Sequence, residues 1–499
     1  MQKKGFRIIE NVRCIGRVVK AQRDGETSMN VIKKKQNFVN VTEKIFLYLF
    51  LAYAILSTNV FSYGTVLISI LMWPTFVLGA FIIFYRIFNY KNYYKMTGLW
   101  ALVLMIGSLG VSIIINYNYS FKQNIIQAIY WVLYFIVLYT VKNNEDLNKT
   151  QRDVQTFLKI FVCYATIEVI SSLVLFISDY SEKIVTADTQ YEYYIGFAIG
   201  RLWGSFINPN TGAVIAAMAI IIFVYLFIAT KNIMLRVVYS LCIILQFLYI
   251  VFSDSRTGVV CLGVVVGVFA LIMLLFKFRE KTIAFKCAMV VVACLIGLGI
   301  GALPRQTKTL YNNTVVKIVE GLNDNQNEEQ HKDNLIERGY DLTDDISNRR
   351  FDVWKGAAEL YVDSFKTFTV GCTYGGFSEY AQKNQPNNYL VNNDYDIFKT
   401  LDNEFFNIMC AQGTIGLVCT SIFVLFVIVC VFKKINLRRR KTKEEVMEIA
   451  ISLALLVGLV AAAMFRSIMF YHFSPNAILF WFILGKMIHL LSFECKENV

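Results

Sequence analysis

The sequence predicts an all-α polytopic membrane protein with about twelve transmembrane helices and one large, partly helical extracytoplasmic loop. Three observations predict it. Apolar and aromatic residues make up 56% of the 499 residues and charged residues only 17%, against about 25% charged in an ordinary soluble domain. The apolar residues fall in blocks of about 20, the length that crosses a bilayer as a helix. Finally, the 49 Lys and Arg, which leave a net charge of +13, lie mostly in short stretches after alternate blocks, as the positive-inside bias places them. A nucleic-acid partner would need that charge gathered on one face, so none is expected.

Taken in order, the blocks predict spans at 45–62, 66–85, 97–116, 125–141, 157–178, 211–229, 237–252, 259–276, 284–303, 408–432, 446–465 and 477–493. A basic cytoplasmic segment, 1–44, precedes the first span, and a short cytoplasmic tail, 494–499, follows the last. The cytoplasmic loops then carry Arg86, Lys91 and Lys95; Lys142, Lys149 and Arg152; Lys231 and Arg236; Lys277, Arg279 and Lys281; and the run from Lys433 to Lys443. An even number of spans with both termini in the cytoplasm fits this pattern. Pro74 is the one Pro inside an expected span, where it reads as a kink. Of eleven Cys, Cys372 alone falls in the long outer segment, so no disulfide framework is expected there.

Two regions lie outside the spans. From Phe6 to Lys20, apolar residues alternate with Arg7, Arg13 and Arg17, a pattern that suits an interfacial helix on an anionic leaflet or a solvated topogenic tail. The 304–407 segment is net acidic and polar in its first half. In its second half, Trp354, Ala358, Tyr361 and Phe365 share one helical face, with Arg350 one turn before Trp354.

The chemistry-bearing residues sit at the predicted outer surface. No phosphate-binding Gly-rich loop is present, His331, His472 and His489 are scattered, and no Cys/His spacing suggests a metal. Arg201 stands in Gly-Arg-Leu-Trp-Gly-Ser-Phe-Ile-Asn-Pro-Asn, which ends at Asn210. Arg256 stands in the tight turn Ser-Asp-Ser-Arg-Thr-Gly, and Arg349 and Arg350 open the loop helix. A guanidinium near hydrocarbon is costly, and its planar fork suits phosphate oxygens. Three such sites converging outside would bind a pyrophosphate without a metal or cofactor. Singly, each reads as a headgroup anchor or a loop salt bridge. Asp402 and Glu404 enter span ten, where desolvation can poise a carboxylate as a general base; the alternative for Asp402 is a helix cap. Gly413 and Gly416 read as small residues for close helix packing.

In this order the motifs resemble the O-antigen ligase/polymerase family: Arg-x-x-Gly-x-Phe-x-Asn-Pro-Asn at 201–210, Ser-Arg-Thr-Gly at 255–258, and Arg-x-x-x-Trp at 350–354 with the Gly-rich turn 371–377. The Asn403-x9-Gly413-x-x-Gly416 pattern is similar to the family's ligase signature, which begins His-Asn; here Asp402 holds the His position. The departure favours the polymerase branch over a ligase. The resemblance implies an outer-leaflet polymerase of undecaprenyl-pyrophosphate-linked oligosaccharide units for a capsular, O-antigen-like or exopolysaccharide. It further implies a growing polysaccharide as substrate, with a flippase and a chain-length regulator as partners. Arg256, Arg201 and Asp402 then take catalytic roles, and Arg349, Arg350, Asn403, Glu404, Trp354 and Asn210 contact substrate. A flippase would line its spans with charge, yet the spans carry little beyond Glu168, Lys159 and Lys486. A secondary transporter would show related halves, and no internal repeat is visible.

Overall fold

Residues 38–185, 192–322, 336, 349–393, 397–434 and 442–493 are described by the structure, a computed structural model. The expected interfacial segment Phe6–Lys20 and the tail 494–499 lie outside them.

Apolar runs of bilayer length set the helices. The first nine are α1 (Phe38–Thr58), α2 (Val66–Phe88), α3 (Leu99–Ile115), α4 (Phe121–Val132), α5 (Leu147–Ile177), α6 (Pro209–Ala229), α7 (Ile233–Ser253), α8 (Arg256–Lys277) and α9 (Ile283–Leu322). Three short helices follow, α10 (Arg350–Tyr361), α11 (Phe365–Val370) and α12 (Phe377–Asn384). The chain ends with α13 (Glu404–Lys434), α14 (Lys443–Ala463) and α15 (Pro475–Phe493). Ten described helices are long and apolar enough to cross a membrane. Two shorter apolar helices, Leu99–Ile115 and Pro475–Leu491, coincide with the third and twelfth expected spans.

Apolar on every side, α6 is the buried centre of the bundle. On the periphery α8 and α9 cross closely, because a Cβ at Gly263 would stand 2.8 Å from the Gly297 carbonyl oxygen. The continuation of α4, Leu133–Tyr139, is π-helical. Its loosened carbonyls find a donor in Arg86, whose Nη1 donates to Ile136 O at 2.5 Å, Val137 O at 2.9 Å and Thr140 O at 3.0 Å.

Helix connections alternate between two ends. One end gathers Arg86–Glu43, Lys149–Glu145 and Lys486–Glu145 ion pairs. At the other end lie the 59–65, 116–120 and 464–474 connections, the described residues between α5 and α6, and the described residues between α10 and α13. Val60 N donates to Ser205 O, Asn116 Nδ2 to Gly371 O, Arg201 Nε to Ser253 O, and Asn403 Nδ2 to Met464 O.

The all-α polytopic membrane fold is borne out, and three finer expectations are corrected. Between α5 and α6 the bundle also carries one small antiparallel sheet of β1 (Ser181–Val185), β2 (Glu192–Ala198) and β3 (Arg201–Gly204), in the order β1-β2-β3. Its alternating Tyr, Ile and Phe side chains bury one face against the bundle. The outer segment does not start as a loop at 304, because α9 runs on through Pro304 to Leu322. Pro74 is therefore not alone inside a helix. Lastly, the buried face of α10 is Val353, Gly356, Ala357 and Leu360, one position away from the stripe expected from Trp354 to Phe365. Phe365 instead opens α11 and is 83% exposed, since Ser364 caps a new helix there.

Candidate functional site

Each functional arginine is placed by a turn or a helix start. Residues Ile199 and Gly200, both at positive φ, form the two-residue link between β2 and β3 and pair Ala198 with Arg201. Asn208 then caps α6, accepting from Asn210 N at 3.0 Å, and Pro209 occupies the first helical position, where its missing N–H costs nothing. Asn210 is left facing two neighbours. Its Oδ1 accepts from Arg201 Nη2 at 3.0 Å and from Ser255 Oγ at 2.9 Å. Arg201 Nε also donates to Ser253 O at 3.0 Å, and the guanidinium lies 5.9 Å from the Trp203 ring centre.

The Ser-Arg-Thr-Gly motif is the start of α8. Asp254 turns the chain in the left-handed region, and Lys308 of α9 pairs with its carboxylate at 2.9 Å. Ser255 Oγ accepts from Gly258 N at 3.1 Å and so caps the helix. Arg256 is its first residue. At Gly258, a Cβ would stand 2.5 Å from the Ala213 Cβ of α6, so the residue is needed for packing.

Across from α8 stands α10, which follows Arg349 in the left-handed region and has Arg350 as its first residue. The two helix starts share a cavity of about 250 Å³, lined by Arg256, Thr257, Val260, Arg350, Phe351, Trp354 and Phe465. Arg350 stacks 5.7 Å over the Phe465 ring, and Trp354 Nε1 donates to Leu401 O at 3.0 Å. Two helix starts, each with a partial positive charge and an arginine at its first position, are the arrangement that suits an anion.

Asp402 directly follows Leu401, the residue whose carbonyl accepts from Trp354. The alternative role as cap of α13 is corrected: Asp402 sits at φ 48, and Asn403 Oδ1 accepts from Phe405 N at 2.9 Å instead. The Asp402 carboxylate faces Arg466, whose Nη1 lies 3.6 Å from its Oδ1. Glu404 points inward and is 4% exposed. Its Oε1 accepts from Ile468 N at 2.9 Å, Met469 N at 2.7 Å and Phe470 N at 3.0 Å. The structure thus brings Arg256, Arg350 and Trp354 to one cavity, ties Arg201 and Asn210 to the Ser255 beside it, and puts Glu404 and Asn403 into the scaffold.

Gly413 breaks α13 at φ 62, ψ −157, a conformation open essentially to Gly. The break leaves carbonyls free, and the 371–373 turn takes them: Cys372 N donates to Cys410 O at 2.8 Å and Thr373 N to Ala411 O at 3.2 Å. Gly413 therefore shapes the backbone, beyond the packing role expected for it. Aromatic residues of the outer segment pack on the protein: Trp354 stacks on Phe406 at 5.4 Å and Tyr374 on Tyr471 at 4.6 Å. Burial pushes the Tyr374 phenol up to about 12.

Residues 241–421 match the family model described as O-antigen ligase. Over those residues the chain is similar to the O-antigen ligases. The resemblance to the O-antigen ligase/polymerase family is borne out by that match, and the coarse activity is that of a membrane glycosyltransferase of the ligase or polymerase type. No curated protein matches the chain significantly. The O-antigen ligase match takes in Arg256, Arg349, Arg350, Trp354, Asp402, Asn403 and Glu404, while Arg201 and Asn210 precede it.

Sequence reasoning overlooked Arg466 and His472, on the connection between α14 and α15. Arg466 carried a usable signal, since it is an arginine at the predicted outer end of a span, the same feature that singled out Arg201. His472 carried none. Burial, then the positive charge of Arg466, push its imidazole down to about 4.

Proposed function

We propose that this protein polymerises undecaprenyl-pyrophosphate-linked oligosaccharide repeat units of a bacterial surface polysaccharide, at the outer leaflet, by metal-independent glycosyl transfer. The observation that carries the reading is the cavity shared by the first turns of α8 and α10, with Arg256 and Arg350 at their first positions. Arg256 and Arg350 grip the donor pyrophosphate, and the helix starts add partial positive charge. Arg201, fixed by Asn210, extends the basic rim. Val260, Phe351 and Phe465 supply the apolar wall against which a prenyl chain or a sugar face can lie.

The bond from the donor sugar C1 to the pyrophosphate oxygen breaks, and its electron pair leaves with the pyrophosphate. The acceptor hydroxyl oxygen bonds to C1, and Asp402 takes its proton. Fixed guanidinium groups stabilise the leaving charge without reorganising at the moment of reaction. In this reading the termini and the Arg86 end face the cytoplasm, and the 304–403 segment faces outward.

Deleting the gene tests it. Lipid-linked single repeat units at the surface with no polymer support polymerisation. Polymer that accumulates unattached to its acceptor supports a ligase, and units trapped inside support a flippase; either result overturns the proposal.

A further inference from the structure

The connection from Met464 to Ser474 is fastened by polar contacts from several elements. Glu404 receives its 468–470 amides on a single carboxylate oxygen. Its carbonyls are held from the other side: Trp481 Nε1 donates to Met469 O at 2.8 Å, while Trp131 Nε1 at 2.8 Å and Gln127 Nε2 at 2.7 Å donate to Phe470 O. Gln412 Nε2 donates to the Tyr471 hydroxyl at 2.5 Å. Three bonds to Glu404 Oε1 lock this turn and the start of α13 to each other, while Glu404 Oε2 has no hydrogen-bond partner.

The locked turn presents Arg466. Its side chain is only 14% exposed, and its Nε is buried with no hydrogen-bond partner. The approach to Asp402 at 3.6 Å is an ion pair too long for a hydrogen bond, and that Asp402 oxygen has no hydrogen-bond partner either. An arginine this enclosed leaves donors unused only at a cost. The neighbouring residue, Phe465, lines the Arg256/Arg350 cavity, and Leu401, next to Asp402, is bonded to Trp354 of the same cavity.

We propose that Arg466 is a further pyrophosphate-binding arginine of this site, and that Glu404 is the positioning residue that aims it. The inference rests on the polymerase reading above. In the structure Arg466 sits beside Asp402. With the donor bound, its unused Nε and Nη donors turn to the phosphate oxygens, and Asp402 is released to receive the acceptor proton. Base and leaving-group stabiliser are then readied by the same substrate.

The test uses the full-length protein in nanodiscs, with inorganic pyrophosphate as the probe and inhibition of polymer formation as readout. Arg466→Gln is expected to weaken pyrophosphate inhibition by about tenfold, the size of one charge-assisted hydrogen bond. Arg466→Lys keeps the charge but loses the fork and should fall between. Glu404→Gln retains an acceptor oxygen and should bind nearly as wild type, whereas Glu404→Ala should lose as much as Arg466→Gln. Combining Glu404→Ala with Arg466→Gln should cost no more than either alone, because Glu404 acts through Arg466. Unchanged inhibition in both Arg466 variants, with Arg256→Gln defective, overturns the inference and leaves the polymerase reading standing. Unchanged inhibition in Arg256→Gln and Arg350→Gln as well overturns both.

Discussion

Trp354 and Leu401 are joined by a single hydrogen bond of 3.0 Å from the indole N–H to the backbone carbonyl. Trp354 belongs to the opening of α10 and Leu401 immediately precedes Asp402. The bond therefore carries the position of the anion cavity over to the carboxylate proposed as base. Leu401 is fully buried, so its carbonyl has no access to replacement water.

Trp354→Phe keeps the stacking on Phe406 and removes only the donor. It should cost about 1–3 kcal/mol through the orphaned carbonyl. Polymer synthesis should fall further than the thermal midpoint in detergent does, because the displaced group lies next to Asp402. Equal polymer yield from wild type and variant would separate the two sites.

Asn210 holds Arg201 and Ser255 on one oxygen. Asn210→Asp should strengthen the hold on Arg201 and, by adding a negative charge beside the anion site, raise the KM for the lipid-linked donor with kcat less affected. Asn210→Ala should loosen both partners and lower kcat/KM. Steady-state kinetics on both variants checks the direction.

Gly413→Ala should destabilise by about 1–3 kcal/mol from the backbone conformation alone. The added Cβ would also stand 2.5 Å from the Thr369 carbonyl carbon. Gly299, where an added Cβ would meet nothing within 4 Å, should accept Ala without loss. Melting curves of the two purified variants make the comparison.

His472 predicts a pH dependence. In the folded protein its imidazole is held down to about 4 from an ordinary 6.5. Between those values the unfolded chain binds more protons, so stability rises with pH through the window and is lost as pH falls from about 6.5 toward 4. His472→Gln should flatten the thermal midpoint over this range. An unchanged slope in that variant assigns the acid sensitivity to other groups.

The candidate arginines are legible without coordinates, because arginine at a predicted outer membrane edge is costly and so stands out. Arg256 and Arg350 are found this way, and their helix-start positions follow from the capping Ser255 and the break before Arg350. The roles of the acidic residues are not legible. Asp402, Asn403 and Glu404 are consecutive and all polar, yet one faces Arg466, one caps α13 and one binds three amides more than sixty positions away in the chain.

By itself the sequence determined the membrane-spanning helices, their alternation between two ends and the family resemblance, since these rest on apolar run length, charge placement and short motifs. Tertiary structure alone decided which polar groups meet: the sheet that presents Arg201, the continuation of α9, and the Glu404-held turn that brings Arg466 to Asp402. The physical reason is range. Hydropathy and capping act within a few residues, whereas a buried charge takes its partners from whatever the fold places within about 3 Å, at any separation along the chain.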